Sequence, residues 1–379
     1  MSGRDAAPPR RLRLEPWGVG YAGSAQDVGG TAFGEDDDQA DGPGDERRLL
    51  GAEALSLEVP LADWRALRPA APLAVAHALF LDGVRRVDAR AVLEGAAPAF
   101  GALGSCAVGA VTCDLAGGGR AELVDDVIVE RWCAIATDTL TDETDVLVPA
   151  GPYGPAAYGG RDGSAARAVP QLRFRVTQAK GTDWQAPVEQ LQVVMRDAER
   201  RLATRLRARL DGMGAGGGRA LLVCDGPRPL FGADENVIGY LKTIKEQRLP
   251  AAALAVVRGL EEGERSPVYL AGEGEHARFE WYLRLRDPRP WLHTLAGSVR
   301  VQAHAGPDPR ALLGAATAIA DWSAANLPRF ATKAHQDPRA PQQLLPVRSL
   351  EASLRRRLGS APLVRRRIEI ALAGTGAAA

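Results

Sequence analysis

Two places in the chain pair a strongly apolar run with an abrupt polar stop. Ala74 to Leu81, interrupted only by His77, ends at Asp82–Gly83 (H-A-L-F-L-D-G), and Ala220 to Cys224 ends at Asp225–Gly226 (A-L-L-V-C-D-G). Short apolar runs of this kind predict buried strands. Asp-Gly is a common hairpin signal, so each pair by itself reads as a turn. A carboxylate at a strand exit, followed by a glycine, can also stand at the end of a sheet with room for a ligand. Two such carboxylates can meet in a fold, and side by side they repel unless a cation lies between them.

The remaining pattern places other elements around these two. Val84 to Leu93 alternates and predicts an antiparallel neighbour of the first strand. Gly104 to Cys113 is a third apolar strand, which makes a meander, and Asp125 to Ala136 adds a fourth. Leu140 to Ala168, rich in Gly, Pro and acids, reads as a long irregular insertion. From Pro187 to Leu210, Val188, Leu191, Met195, Ala198, Leu202, Leu206 and Leu210 recur on one helical face. Pro187 suits the first turn. Glu199 falls about 45° from the centre of that face and can reach a cleft beside the core, whereas Glu189, about 120° away, meets solvent. Ala251–Val257, Val268–Leu270, Arg278–Arg286 and Gly297–His304 read as strands, and Pro309–Asn326 as a helix. Glycine-rich 211–218 follows a helix and precedes a strand, the wrong order for a phosphate-binding turn.

Outside this region the pattern weakens. Residues 1–48 are dominated by Gly, Asp and Ala and include Glu35-Asp36-Asp37-Asp38, the composition of a flexible acidic arm. Leu327 to Pro346 carries four prolines and His335. It is too irregular for a regular element, and its imidazole can ligate a metal or move a proton. Two basic helices close the chain, Val347–Gly359 and Leu363–Leu372. Across them Arg355, Arg356, Arg357, Arg365, Arg366 and Arg367 face only Glu351 and Glu369. Three segments result: an arm over 1–48, a main domain over 49–346 and a basic C-terminal part over 347–379.

Composition narrows the chemistry. The 379 residues carry zero formal net charge, so attraction to nucleic acid must come from local patches. The C-terminal arginines are one such patch, and Lys242 and Lys245 in V-I-G-Y-L-K-T-I-K are a second candidate for neutralising phosphate. The four cysteines lack C-x-x-C spacing and fit buried thiols in a reducing, cytoplasmic setting. No run reaches the length of a membrane span, and no G-x-x-x-x-G-K-[ST] loop is present.

Taken together, the order strand–Asp-Gly, further strands, long helix with Glu, strand–Asp-Gly, V-I-G-Y-L-K-T and L-P-x-x-x-x-x-A-H resembles the NurA family of DNA-end-processing nucleases over most of residues 75–346. The stretch H-Q-D-P-R-A-P-Q-Q-L-L-P-V followed by L-E-x-x-L-R-x-R-L-G is similar to bacterial members. The resemblance implies an α/β fold with a ribonuclease H-like mixed sheet flanked by helices. It also implies Mn²⁺ or Mg²⁺ dependence with a two-metal site, homodimerisation, and partnership with a HerA-type hexameric translocase in DNA end resection. The implied activity is that of an exonuclease, with single-strand endonuclease activity beside it. By position the implied metal and catalytic residues are Asp82, Glu199, Asp225 and His335. Two divalent ions held by carboxylates can activate water and stabilise charge on a transferring phosphoryl group. Oxygen ligands with one imidazole suit Mn²⁺ or Mg²⁺. Family members commonly carry Tyr eight positions before the His, where this chain has Leu327. The alternative is a catalytically silent NurA-like subunit that binds DNA or a translocase as a scaffold.

Overall fold

The computed structural model describes residues 11–16, 49–95, 97–116, 120–137, 146–148, 172–213, 219–229, 236–244, 248–287 and 291–374. Its strands are β1 (Arg11–Leu14), β2 (Val75–Glu94), β3 (Ala99–Asp114), β4 (Ala121–Leu123), β5 (Ile128–Ala136), β6 (Val146–Val148), β7 (Leu172–Ala179), β8 (Arg219–Asp225), β9 (Val237–Leu241), β10 (Tyr269–Ala271), β11 (Arg278–Arg284) and β12 (Ser298–His304). The helices are α1 (Ala52–Leu55), α2 (Ala186–Met213), α3 (Ala251–Arg258), α4 (Pro309–Phe330), α5 (Leu345–Leu358) and α6 (Ala361–Gly374). The strands form one mixed sheet in the order β10-β11-β12-β9-β8-β2-β3-β5-β7-β6, with β1 on β2 and β4 on β3. Pairs β2–β8, β8–β9 and β5–β7 are parallel, and the others are antiparallel. The protein is therefore α/β, a large mixed sheet flanked by helices.

Period-2 alternation assigns each strand residue to a face. Ala78, Phe80 and Val84 of β2, Leu221 and Val223 of β8, and Ile238 and Tyr240 of β9 form one core with Trp322 and Leu327 of α4 and Val347, Leu350, Leu354 and Leu358 of α5. The opposite face carries Leu79, Leu81, Leu222 and Cys224, packed on Met195, Ala198, Leu202 and Leu206 of α2. At the β10 end this same face is covered by Ala253 and Val257 of α3. The register of β2 on β3 shifts between Val87 and Ala89. This extra residue exchanges the faces, so Ala89 and Ala91 join Val364 and Ile368 of α6. The C-terminal helices are thus part of the main body, since α5 contributes four side chains to its principal core.

Three expectations change. Asp82–Gly83 is not a turn: β2 runs unbroken through it, with Asp82 opposite Gly109 and Gly83 opposite Val108. Val84–Leu93 is therefore the second half of one 20-residue strand and not a separate neighbour. Gly83 has no positive φ, whereas Gly226 turns at φ 105°, so only the second Asp-Gly ends its strand. Ala251–Val257 is α3, not a strand; a seven-residue apolar run does not separate the two states, and Pro250 before it and Gly259 after it bound a short helix. Within the N-terminal arm, R-L-R-L at 11–14 alternates and pairs with Ala91–Glu94. Trp17, Tyr21 and the acidic run at 35–38 lie outside the described residues, as does most of the insertion at 140–168, where 146–148 form β6 on β7.

Candidate metal centre

Asp82, Asp225 and Lys242 share a sheet face because of their parity. Asp82 follows Phe80 by two positions, Asp225 follows Val223, and Lys242 follows Tyr240, and all three apolar partners point into the core beneath α4 and α5. Strands β2, β8 and β9 are adjacent, so the three polar groups converge where that core ends. The backbone past Asp225 folds back over β9: Gly226 and Tyr240 exchange both backbone hydrogen bonds at 2.9 Å. A Cβ on Gly239 would stand 2.3 Å from the Arg228 nitrogen. That close approach is the physical reason for the glycine in V-I-G-Y.

The third carboxylate is Glu351 of α5. Ligand oxygens of Asp82, Asp225 and Glu351 lie within 4.8 Å of one another, the one such group of three His, Cys, Asp or Glu side chains among the described residues. Glu351 is held from behind. Arg339 donates to it bidentately at 2.8 and 2.9 Å, Gln343 Nε2 donates at 2.7 Å and Arg355 at 3.4 Å. Arg339 is itself steadied by Asp337 at 3.2 and 3.3 Å. The Lys242 ammonium donates to Asp225 Oδ2 and to Gln343 Oε1. One chain of hydrogen bonds therefore runs from Asp225 through Lys242 and Gln343 to Glu351 and Arg339.

Electrostatics divides the carboxylates. Burial, then Asp225 and Glu351, push the Asp82 carboxyl well above the ordinary carboxylate range against the opposing pull of Lys242, with Glu199 adding a smaller push. Glu351 is buried too, which raises it, but the Arg339 bonds, Lys242 and Gln343 outweigh burial and hold it below its ordinary value. The surroundings thus disfavour the ionised form of Asp82 and favour that of Glu351.

The other expected residues sit elsewhere. Glu199 is on α2, across the sheet from Glu351. It reaches the back of β2 through the space that Gly83 leaves: a Cβ there would be 2.5 Å from Glu199 Oε1 and 3.2 Å from Met195 Sδ. His335 is exposed in the turn after α4, and neither residue contributes a ligand atom to the group of three. Leu327, where the resembling family has Tyr, is fully buried in the α4–α5 core. Lys245 lies outside the described residues. Of the C-terminal arginines, Arg365 and Arg366 pair with Glu369, and Arg356 and Arg357 are exposed. Glu351 was not read as a site residue from the sequence. A signal existed: Val347, Leu350, Leu354 and Leu358 make the apolar stripe of α5, and Glu351 lies inside it, where a lone carboxylate must have partners.

The donor set suits a hard divalent cation. It offers three carboxylate oxygens from separate elements, largely shielded from water, in a cluster that already holds one cationic side chain, the Lys242 ammonium. No protein-family model matches the chain, and no curated protein matches its sequence. Among the described residues no helix is long and apolar enough to cross a membrane.

Proposed function

We propose that this protein is a divalent-metal-dependent deoxyribonuclease of the NurA type, with a ribonuclease H-like core, using Mn²⁺ or Mg²⁺. The observation that carries the reading is the meeting of Asp82, Asp225 and Glu351. Two of these carboxylates come from the strand–Asp-Gly segments on which the family resemblance rests. A bound divalent ion supplies charge stabilisation on a phosphoryl oxygen and lowers the pKa of water. The chain's own groups do the rest: Asp82, Asp225 and Glu351 would hold the ion, Arg339 and Gln343 keep Glu351 oriented, and Asp82 would give up any proton it carries on becoming a ligand. Dimerisation and docking on a HerA-type hexameric translocase for end resection belong to the same reading. They are supported by the resemblance.

The experiment is Mn²⁺-dependent hydrolysis of end-labelled DNA by the wild type, Asp82→Asn and Asp225→Asn, with folding checked by circular dichroism. Hydrolysis that disappears in both folded variants supports the reading, and undiminished cleavage by either removes these residues from it. A second reading, a scaffold subunit without hydrolytic activity, is favoured by one observation, the Lys242 ammonium lodged among the carboxylates. Wild-type protein that binds DNA and the translocase but never cuts would select it.

A further inference from the structure

We propose that Lys242 is a resident counter-cation of the carboxylate cluster, and that a divalent metal and the Lys242 ammonium exclude one another from it. The proposal rests on the metal reading above and adds a competitor to it. Lys242 stands one residue beyond β9, with a largely buried side chain whose ammonium bonds Asp225 and Gln343. The charges facing this point include Asp82, Asp225 and Glu351 from three elements, with Glu199 acting on Asp82 from across the sheet, and on the positive side Lys242, Arg339 and Arg355.

The two cations are held differently. Arg339 is fixed by two bonds to Glu351 and two to Asp337, and its planar fork leaves it little freedom. Lys242 is a single ammonium on a flexible four-carbon stem. Its backbone is pinned by Gln342, which donates to the Lys242 carbonyl at 3.2 Å, so the stem can rotate without moving β9. A dication among the same oxygens would stand a few ångströms from that ammonium, and the two repel. Lys242 is the cation that can leave. On leaving, it releases the Gln343 carbonyl oxygen, which accepts from it, while Gln343 still donates to Glu351. In the metal-free protein Lys242 therefore offsets part of the carboxylate repulsion, and it sets the metal concentration at which the site fills.

The test is Mn²⁺ binding by isothermal titration calorimetry, with melting temperature measured with and without Mn²⁺, for the full-length wild type, Lys242→Met, Lys242→Gln and Lys242→Arg. Lys242→Met keeps the stem and removes the charge, and should bind Mn²⁺ about ten-fold or more tightly than wild type. Mn²⁺ should also raise its melting temperature by more. Lys242→Arg should bind no more tightly than wild type. Should the Met variant fail to fold, Lys242→Gln carries the same comparison. A folded neutral variant whose Mn²⁺ affinity equals or falls below that of a metal-binding wild type overturns the competition and leaves the metal reading standing. If neither the wild type nor any variant binds Mn²⁺, both fall.

Discussion

Asp82, in the middle of β2, and Glu351, on α5, present carboxylate oxygens within 4.8 Å of each other, yet their surroundings push the two carboxyls in opposite directions. Asp82 faces burial and two other carboxylates; Glu351 is clasped by Arg339. The cluster thus keeps one carboxylate anchored and charged and another whose ionised form is disfavoured, and added positive charge near Asp82 favours that form.

Opposite effects on stability follow for the metal-free protein. Because the folded pKa of Asp82 is raised, its contribution is favourable below the ordinary carboxylate range and is lost as pH rises through the folded value. Its surroundings disfavour the ionised form, so Asp82→Asn should raise the metal-free melting temperature by about 1–3 °C while abolishing Mn²⁺ binding. Glu351 is the reverse case, its contribution present above the ordinary glutamate value and lost as pH falls through the lowered one. Glu351→Gln should cost about 2–4 kcal/mol at pH 7, because Arg339 loses its bidentate partner. Urea unfolding of both variants without metal reads the two signs. Destabilisation by both would mean that the cluster is purely structural.

Gly83 and Gly239 should answer differently to the same substitution. A Cβ at Gly83 meets the far end of the Glu199 side chain at 2.5 Å, and that side chain can move. Gly83→Ala should therefore stay folded at a cost of about 1 kcal/mol. A Cβ at Gly239 meets the Arg228 backbone at 2.3 and 2.8 Å and cannot be accommodated without moving the segment after β8. Gly239→Ala should cost more than about 3 kcal/mol or prevent folding. If Glu199 contributes to metal binding from behind β2, Gly83→Ala will also weaken Mn²⁺ affinity, and Glu199→Ala alone will do the same. Chemical denaturation and calorimetry on these variants decide both points.

How much of this was legible in the sequence depends on the range of the interaction. Strand A-L-L-V-C-D, helix α2 and the basic helices follow from local periodicity, and the structure has them with boundaries shifted by a few residues. Asp82–Gly83 misled because Asp-Gly permits a turn without requiring one, and pairing with β3 over both halves of β2 keeps the backbone extended. The meeting of Asp82 with Asp225 was an inference from repeated strand ends. That α5, and not α2, covers their face is decided by non-local packing, and no local pattern at Glu199 or Glu351 announces it. Glu351 could have been noticed within the stripe Val347–Leu350–Leu354–Leu358, but its partners Arg339 and Gln343 come from the irregular segment before α5.

Away from the site, Glu280 should set part of the acid limit of the fold. It is buried beside Arg278, Arg300 and Gln302 on the sheet. Burial alone would raise its carboxyl, but Arg300, Arg278 and Gln302 outweigh it and bring it from 4.5 to about 2. The folded value is lowered, so this stabilisation is present above about pH 4.5 and fades as pH falls towards 2. A shift of this size corresponds to about 3 kcal/mol. Glu280→Gln should therefore be less stable than wild type by roughly that amount at pH 7, and the gap should close between pH 4.5 and 2. A gap that stays constant over this range would assign the loss to hydrogen bonding alone.

The C-terminal arginines are not equivalent, and DNA affinity should divide accordingly. Arg365 donates to Glu369 at 3.0 Å and to the Glu15 carbonyl at 3.4 Å, and Arg366 lies 3.7 Å from Glu369. Arg367 is partly buried, which lowers its pKa. Arg355 leans on Glu351 at 3.4 Å. Arg356 and Arg357, by contrast, are exposed at the C-terminal end of α5, the helix that carries Glu351. If the patch contacts duplex backbone, each phosphate contact contributes about 0.9 to the slope of log affinity against log salt. Replacing Arg356 and Arg357 together by Ala should flatten that slope by about 1.8 and weaken binding at every sequence, with Mn²⁺ affinity unchanged. The Arg365, Arg366 and Arg367 triple variant should lose less slope per residue and more stability, because part of its charge is already spent within the fold. Fluorescence anisotropy with labelled duplex across a salt series reads both variants. Superimposable lines for wild type and the Arg356/Arg357 pair would mean that α5 does not touch DNA.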